Sequence, residues 1–312
     1  MSWSPHIAQI VAKVSKKVSV FNSLKFKLPR QILDVIYKSF IRPSLEYADV
    51  VWHNCSVSDS RLIERVQYEC SLTVSGAVRG SSYSSLLQEL GWEKLSDRRY
   101  IHSLVLFYKI VNGQARQYLT NLLPPAVSGA SAYNLRNKSN LQLPVCNTNS
   151  FLNSFIPYAI QIWNRLDSNV RLLAAPLFKT HLVKTVRPVV VTYYTSGPRY
   201  ACALLTRLRI GTCSLNHSLF IRNLIESPSC SCGCRCESIP HYLLHCPNFA
   251  IQRSRLLDRL ESLNISVLDF QNLSDSAFVY LLLKGSSFLS SEVNIQILTI
   301  TQQYLLETKR FS

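Results

Sequence analysis

Apolar residues follow a helical period through the first part of the chain. Between Ile7 and Val18, apolar residues recur at steps of three and four residues. Ile32, Val35, Ile36 and Phe40 repeat that spacing. Such steps place apolar side chains on one face of an α-helix. Predicted helices lie over residues 4–28, 29–45, 57–73, 84–90 and 96–111. Pro29 suits the first turn of the second helix, and Pro43 ends or bends that helix near Arg42.

The second part of the chain contains polar connecting segments as well as helical patterns. Residues 124–150 are rich in Pro, Ser and Asn, which is typical of a connector. Residues 188–198 include the β-branched residues Val189 to Thr192, which favour extended backbone and permit a short strand. Further helices are predicted over residues 151–166, 175–186, 248–263, 275–283 and 291–308. The sequence therefore predicts a mainly α fold.

Charge is distributed unevenly along these helices. The 312 residues contain 34 Lys and Arg against 18 Asp and Glu, a net charge of +16. Residues 101–200 hold ten of the basic residues and a single acidic one, Asp167. A basic surplus of this size favours an anionic partner such as nucleic acid. In the first helix, spacings of three and four residues align Lys13, Lys16 and Lys17 in one basic stripe.

Five of the ten cysteines crowd into residues 230–246, together with two histidines. In a reducing compartment such clustering indicates metal binding, because a structural zinc ion takes four thiolate and imidazole ligands in a tetrahedron. The favoured ligands are Cys230, Cys232, His241 and Cys246. Gly233 allows the tight backbone turn that brings two close sulfur atoms to one ion. With these four ligands, the loop between Cys232 and His241 is long enough to fold back without strain.

Other ligand sets stay open at this point. Cys234 and Cys236 are an alternative to the first pair, and His245 lies one helical turn from His241. Reduced cysteines without a metal are a further interpretation of the cluster. A catalytic zinc would have three protein ligands, a water molecule and a nearby base, for which Glu237 is the candidate.

The chain has no run of 18 apolar residues and no signal-peptide pattern at its start. We therefore expect an intracellular protein without a membrane partner, in the nucleus or the cytoplasm. A localisation run of five or more basic residues is not present.

The chain resembles the reverse transcriptases of non-LTR, jockey-like retrotransposons through a series of motifs in the same order along almost the whole sequence. These motifs are WSPHI at residues 3–7, IYKSFIRPSLEYADVVW at 36–52, ERVQ at 64–67, ELGW at 89–92, DRR at 97–99, FYKIV at 107–111, YNLR at 133–136, FIP at 155–157, WN at 163–164, LRIG at 208–211, the Cys-His cluster, and TKRF at 308–311. In that family, a helical thumb that grips the template-primer duplex follows the polymerase palm. A zinc knuckle thought to bind nucleic acid lies near the carboxy end.

The resemblance implies a division of the chain and a non-catalytic function. The implied regions are a helical thumb-like region at residues 1–123, the connector at 124–150, a helical region at 151–187, an extended linker at 188–200, a zinc-knuckle module at 201–263 and C-terminal helices at 264–312. Polymerase chemistry needs closely spaced carboxylates that hold two metal ions. The look-alike sequence YADV at residues 47–50 has Val50 where the second aspartate would stand. We therefore expect the chain to begin past the palm and to lack enzymatic activity.

RNA, DNA or both are the partners that the resemblance implies, and zinc is the cofactor. Candidate phosphate contacts, beyond the stripe on the first helix, are Arg98, Arg99, Arg136, Lys138, Arg207, Arg209, Arg235, Arg253 and Arg255. Tyr242 and Phe249 are candidates for stacking on exposed bases. The alternative is a structural or protein-interaction module, a remnant of such an element, in which zinc only stabilises the fold. The sequence does not specify an oligomeric state.

Overall fold

The computed structural model describes residues 2–127, 140–188, 191–263 and 273–311, and it is mainly α-helical. These ranges contain no β-strand, although Ala126 and Leu141 form an isolated antiparallel bridge. The mainly α fold expected from the apolar spacing is confirmed.

Helices account for most of the first 127 residues. In chain order they are α1 (Ser4–Ser23), α2 (Arg30–Ile36), α3 (Arg42–Glu46), α4 (Val57–Ser75), α5 (Tyr83–Leu90), α6 (Leu95–Val111) and α7 (Gln117–Thr120). A π-helical turn, Tyr37–Ile41, joins α2 to α3. Pro43 lies in the first turn of α3, where its missing N–H is tolerated, so the helical path continues past it.

The rest of the chain is also built from helices. They are α8 (Asn149–Leu152), α9 (Phe155–Asn164), α10 (Ser168–Arg171), α11 (Ala175–Val186), α12 (Arg199–Arg209), α13 (Asn216–Ile221), α14 (Ala250–Glu261), α15 (Asp275–Lys284) and α16 (Ser291–Glu307). Short non-α turns occupy Thr192–Thr195, His241–His245 and Pro247–Phe249. The segment predicted as an extended linker at 188–200 thus contains a 3₁₀ turn and the start of α12. Val189 and Val190 lie outside the described residues.

Two compact units divide the chain, and each is built from three separate stretches. The first consists of Met1–Lys16, Phe40–Gln67 and Trp92–Pro188, and the second of Lys17–Ser39, Tyr68–Gly91 and Val189–Ser312. These units interleave along the sequence, whereas the six regions implied by the resemblance follow one another. The stretch 1–123 accordingly contributes residues to both units.

The first unit has an aromatic core between α6, α9 and α11. Tyr108 stacks on Phe178 with ring centroids 4.6 Å apart, and Phe107 meets Trp163 edge to face at 5.7 Å. All four side chains are buried. Large aromatic rings remove much apolar area from water, so this cluster is a main source of stability in the unit.

The second unit has a larger core, and this core supports the cysteine-rich loop. Leucines and isoleucines of α12, α14, α15 and α16 form it, together with Tyr242 of the π-helical turn. The Tyr242 ring packs against Phe249, Tyr304 and Phe311. The backbone that carries His241 and Cys246 is therefore anchored in a packed core.

Candidate metal centre and nucleic-acid interface

Four side chains of the cysteine-rich segment converge on one point. The ligand atoms of Cys230, Cys232, His241 and Cys246 all lie within 4.8 Å of one another. The sulfur atoms of Cys230 and Cys246 are 3.7 Å apart, and the Cys232 sulfur is 3.3 Å from Nε2 of His241. These residues form a cluster that can bind a metal ion.

Local backbone structure explains how residues so far apart in sequence meet. Gly233 has a φ of 92°, a conformation that L side chains rarely adopt, and its N–H donates to the Cys230 carbonyl. This turn places Cys230 and Cys232 side by side. His241 begins a π-helical turn, and the Cys246 N–H donates to the His241 carbonyl at 2.7 Å, so that single turn provides the other two ligands.

The electrostatic surroundings suit metal binding at some ligands and oppose free thiolates at others. Burial lowers the pKa of His241 and thus favours the neutral imidazole that metals bind. The Cys234 backbone N–H lowers the pKa of Cys232. Burial raises the pKa of Cys246, so its thiol keeps the proton unless a cation compensates the thiolate charge. A metal ion would supply that compensation.

Two of the ligand–ligand distances in the cluster are close to those of a tetrahedral zinc site. Zinc–sulfur bonds of about 2.3 Å and zinc–nitrogen bonds of about 2.0 Å place tetrahedral ligand atoms roughly 3.5 to 3.8 Å apart. The Cys230–Cys246 distance of 3.7 Å falls in this range, and the Cys232–His241 distance of 3.3 Å is close to it. The donor set of three thiols and one imidazole is also typical of structural zinc.

The alternative ligands have other positions. The Cys234 thiol points to the Cys236 carbonyl at 3.6 Å. Nε2 of His245 lies 2.6 Å from a carboxylate oxygen of Asp275, and both side chains are exposed. None of these three alternative residues belongs to the four-residue cluster.

Further polar contacts fix the loop in place. Glu237 is buried, and its carboxylate accepts two hydrogen bonds from the Arg310 guanidinium and one from the Asn216 N–H. Arg253 donates to the carbonyl oxygen of Cys246 at 2.9 Å. Glu237, the candidate base of a catalytic zinc site, is thus held in an ion pair with Arg310.

Several predicted phosphate contacts lie at the surface. Lys13 and Lys16 on α1, Arg235 in the cysteine-rich loop and Arg255 on α14 are exposed. Lys17 on α1 is half-buried. Lys13 also lines a cavity of about 390 Å³ beside α3 in the first unit.

Other predicted contacts are used inside the fold. Arg98 is paired with Glu46 and Glu93, and Arg99 is buried over the Trp52 ring and donates to Ser60. These contacts lie within the first unit, so the two guanidinium groups have few accessible N–H donors for a phosphate. The sequence DRR at residues 97–99 fits a solvated helix face and a buried ion pair equally well. This explains why the sequence analysis counts Arg98 and Arg99 among the phosphate contacts.

Arg209 also lies in the interior, within an arginine–glutamate triad of Arg30, Glu89 and Arg209. Glu89 accepts from Nε of Arg209 at 3.0 Å, from Nη2 of Arg209 at 2.6 Å and from Arg30 at 2.8 Å. All three side chains are at most 4% exposed. Burial alone would raise the pKa of Glu89, but the charges and hydrogen bonds of Arg209 and Arg30 lower it to about 2. The triad is a structural element of the second unit.

The remaining predicted residues divide between partial and complete burial. Arg207 is half-buried and donates to the Gly76 carbonyl, and Arg253 is half-buried beside the cluster. Tyr242 is fully buried and bonds to Thr308, so it has no face to offer a base. Phe249 packs edge to face on that ring. Arg136 and Lys138 lie outside the described residues.

Comparison of the chain with protein-family models, with characterised proteins and with solved structures finds no match. Among the described residues, no helix combines the length and the apolar character that crossing a membrane requires.

Proposed function

We propose that the chain is a non-catalytic nucleic-acid-binding module stabilised by a zinc knuckle. The observation that carries the proposal is the convergence of Cys230, Cys232, His241 and Cys246 within 4.8 Å. Zinc held by these residues would close the loop and fix the exposed Arg235 on its surface. The net charge of +16 supports a polyanionic partner.

The order of motifs from WSPHI to TKRF supports a more specific assignment. It favours the thumb-to-knuckle part of a non-LTR, jockey-like retrotransposon reverse transcriptase, acting on a template-primer or on element RNA. Asp49 of the YADV sequence supports a non-catalytic function, because its buried carboxylate lies 2.6 Å from Nδ1 of His102. A carboxylate paired in this way is not presented to a metal–nucleotide complex.

The second candidate function is a structural or protein-interaction module. The buried pair of Glu237 and Arg310 and the aromatic packing around Tyr242 favour a stabilising role for the zinc site. In that case zinc would hold the C-terminal core together, and the basic surface would serve solubility alone.

A salt titration of polynucleotide binding separates the two functions. Zinc-loaded protein is titrated into a short fluorescein-labelled single-stranded RNA, and anisotropy gives the dissociation constant. A nucleic-acid-binding module loses affinity by roughly tenfold or more between about 50 and 200 mM salt, since each neutralised phosphate releases counterions. Absence of binding at about 50 mM salt, to RNA and to DNA of the same sequence, would contradict the proposal and favour the structural module.

A further inference from the structure

Basic side chains surround the turn that follows α4 in the second unit. Arg199 donates to the Thr73 carbonyl at 2.6 Å and Arg207 to the Gly76 carbonyl at 2.9 Å. Lys25 donates to the Ala77 carbonyl at 2.9 Å, and Arg222 to the Arg79 carbonyl at 3.0 Å. Lys25, Arg199, Arg207 and Arg222 are called the carbonyl-bound cation cluster below.

A structural reason for this cluster is the end of the α4 helix. Gly76 ends the helix with a φ of 78°, and a Cβ there would lie 2.4 Å from the Cβ of Ala203. Carbonyl groups at a helix C-terminus lack intrahelical partners and carry the negative end of the helix dipole, so cations are favourable beside them. Capping of this kind explains the positions of the cations, but the carbonyl groups carry no net charge that would balance them.

None of the four cations forms an ion pair with a carboxylate among the described residues. Carbonyl oxygens accept hydrogen bonds but carry no net charge. Burial, followed by the charges of Arg207 and Arg199, lowers the pKa of Lys25 to about 8, against a smaller opposing effect of the Glu69 carboxylate. Burial, with Arg30 and Arg207 contributing, lowers the pKa of Arg199 to about 10. Lys25, Arg199 and Arg207 therefore repel one another, and the Glu69 carboxylate offsets this repulsion only in part, so a bound polyanion would relieve it.

All four side chains are half-buried; Lys25, Arg207 and Arg222 keep donors for a ligand, whereas the remaining nitrogen of Arg199 is buried. A lysine ammonium has three N–H donors and a guanidinium has five. Lys25 donates one hydrogen bond to a carbonyl, and so do Arg207 and Arg222. The unused donors match the several acceptor oxygens of a phosphate.

An exposed aromatic ring lies beside these cations. Phe26 is 52% exposed although it is a large apolar side chain. The Lys25 ammonium and the Arg199 guanidinium lie 5.5 and 5.9 Å from its ring centroid. Single-strand binders combine cations that contact the backbone with aromatic rings on which bases stack. A duplex keeps its bases stacked on each other and offers no such partner.

We propose that the carbonyl-bound cation cluster binds phosphates of a single-stranded polynucleotide and that a base of the same strand stacks on Phe26. This inference rests on the proposed function and names the surface that carries it. Lys25 and Phe26 lie in the turn between α1 and α2, so one short segment provides a phosphate contact and a stacking surface.

Two substitutions test the inference, each with a matched control. Phe26→Leu removes the ring, and Phe288→Leu removes a ring that is 92% exposed elsewhere in the second unit. Lys25→Met removes a charge of the cluster, and Lys179→Met removes an exposed charge on α11. Binding to the short labelled single-stranded RNA is measured by anisotropy over a range of salt concentrations, and circular dichroism confirms that each variant is folded.

The expected result is a selective loss of affinity. Phe26→Leu weakens single-strand binding about tenfold, whereas Phe288→Leu changes it less than about twofold. Lys25→Met weakens it about fivefold at about 0.1 M salt and reduces the salt slope by about 0.7, whereas Lys179→Met does neither. Lys25→Arg, which keeps the charge, retains most of the affinity. Binding to a blunt duplex of the same sequence does not respond to Phe26→Leu.

Failure of the inference differs from failure of the proposed function. If the wild type binds the RNA and both Phe26→Leu and Lys25→Met behave as their controls, this surface is wrongly assigned while the proposed function stands. Equal sensitivity of duplex and single strand to Phe26→Leu also overturns the stacking assignment. If the wild type binds neither RNA nor DNA at about 50 mM salt, the proposed function falls and this inference falls with it.

Discussion

Two groups of basic residues in the second unit differ in the acceptor groups that their side chains contact. In the arginine–glutamate triad, Arg30 and Arg209 share the buried carboxylate of Glu89. In the carbonyl-bound cation cluster, neutral backbone oxygens take the place of a carboxylate. Both groups appear in the sequence only as Lys and Arg within helical or turn patterns. The comparison indicates that the group an arginine contacts, more than its presence in the sequence, distinguishes a structural role from the binding role that we propose.

Replacement of the shared carboxylate is expected to have the largest effect on stability. Glu89→Gln leaves two buried guanidinium groups without a counter-charge, and removal of one partner from a buried ion pair costs about 3 to 5 kcal/mol. Urea unfolding followed by circular dichroism measures the change in the free energy of unfolding. Glu261→Gln, which removes an exposed carboxylate at the end of α14, should change it by less than about 0.5 kcal/mol. A loss below about 1 kcal/mol for Glu89→Gln would contradict a structural role for the triad.

Acid should weaken the triad in a defined pH range. The pKa of Glu89 is lowered from 4.5 to about 2 in the folded protein. A carboxyl with a lowered pKa contributes stability above its unfolded value of 4.5 and loses it as the pH falls toward 2. The free energy of unfolding from Glu89 should therefore decline by roughly 3 kcal/mol across this range. The Glu89→Gln variant should show a correspondingly shallower decline, and identical pH profiles for the two proteins would refute the assignment.

Two arginines of α12 allow a closer comparison. Arg209 meets Glu89 through Nε and Nη2, a fork that lysine cannot reproduce, so Arg209→Lys should cost about 1 to 2 kcal/mol. Arg207 uses Nε for a single carbonyl, so Arg207→Lys should cost less than about 1 kcal/mol. Chemical denaturation of the two variants side by side tests the difference. Equal losses would show that the kind of partner does not matter here.

Neutralising the cation cluster should affect stability least. Lys25→Met loses the hydrogen bond to the Ala77 carbonyl and the attraction to Glu69 but relieves repulsion from Arg199 and Arg207. We expect these contributions to nearly cancel, with a net change within about 0.5 kcal/mol of wild type in the same unfolding assay. A loss of about 2 kcal/mol or more would indicate that the cluster is a structural element like the triad.

Much of the helical fold could be predicted from the sequence, because apolar spacing is a local signal. The predicted helix at 175–186 coincides with α11, and the one at 291–308 agrees with α16 to one residue. The sequence analysis predicts neither α12 nor α13. Leu204, Leu205 and Leu208 of α12 do recur at helical spacing, but the helix follows directly on a segment that favours extended backbone. The break between α8 and α9 at Ser154 was also missed, because the apolar period runs across it.

The site shows the same limit. The four clustered ligands were named from sequence because cysteines and histidines at such close spacing are typical of zinc sites. The burial of Arg99 and Arg209 depends on partners 39 and 120 residues away, namely Ser60 and Glu89. Spacing along one helix carries no information about such partners. The sequence Lys25-Phe26-Lys27 places an aromatic ring between two cations, a pattern that fits nucleic-acid binding. The sequence analysis names only the basic stripe on α1 and not this segment.

Metal content tests the central claim most directly. Protein purified without a metal-chelating tag is analysed for zinc per chain, as wild type, as His241→Ala and as Cys234→Ser combined with Cys236→Ser. We predict one zinc per chain in the wild type and in the double cysteine variant, and a stoichiometry near zero for His241→Ala. Of the three substituted residues, only His241 belongs to the four-residue cluster. Folded wild-type protein without bound zinc, or loss of zinc in the double cysteine variant alone, would contradict it.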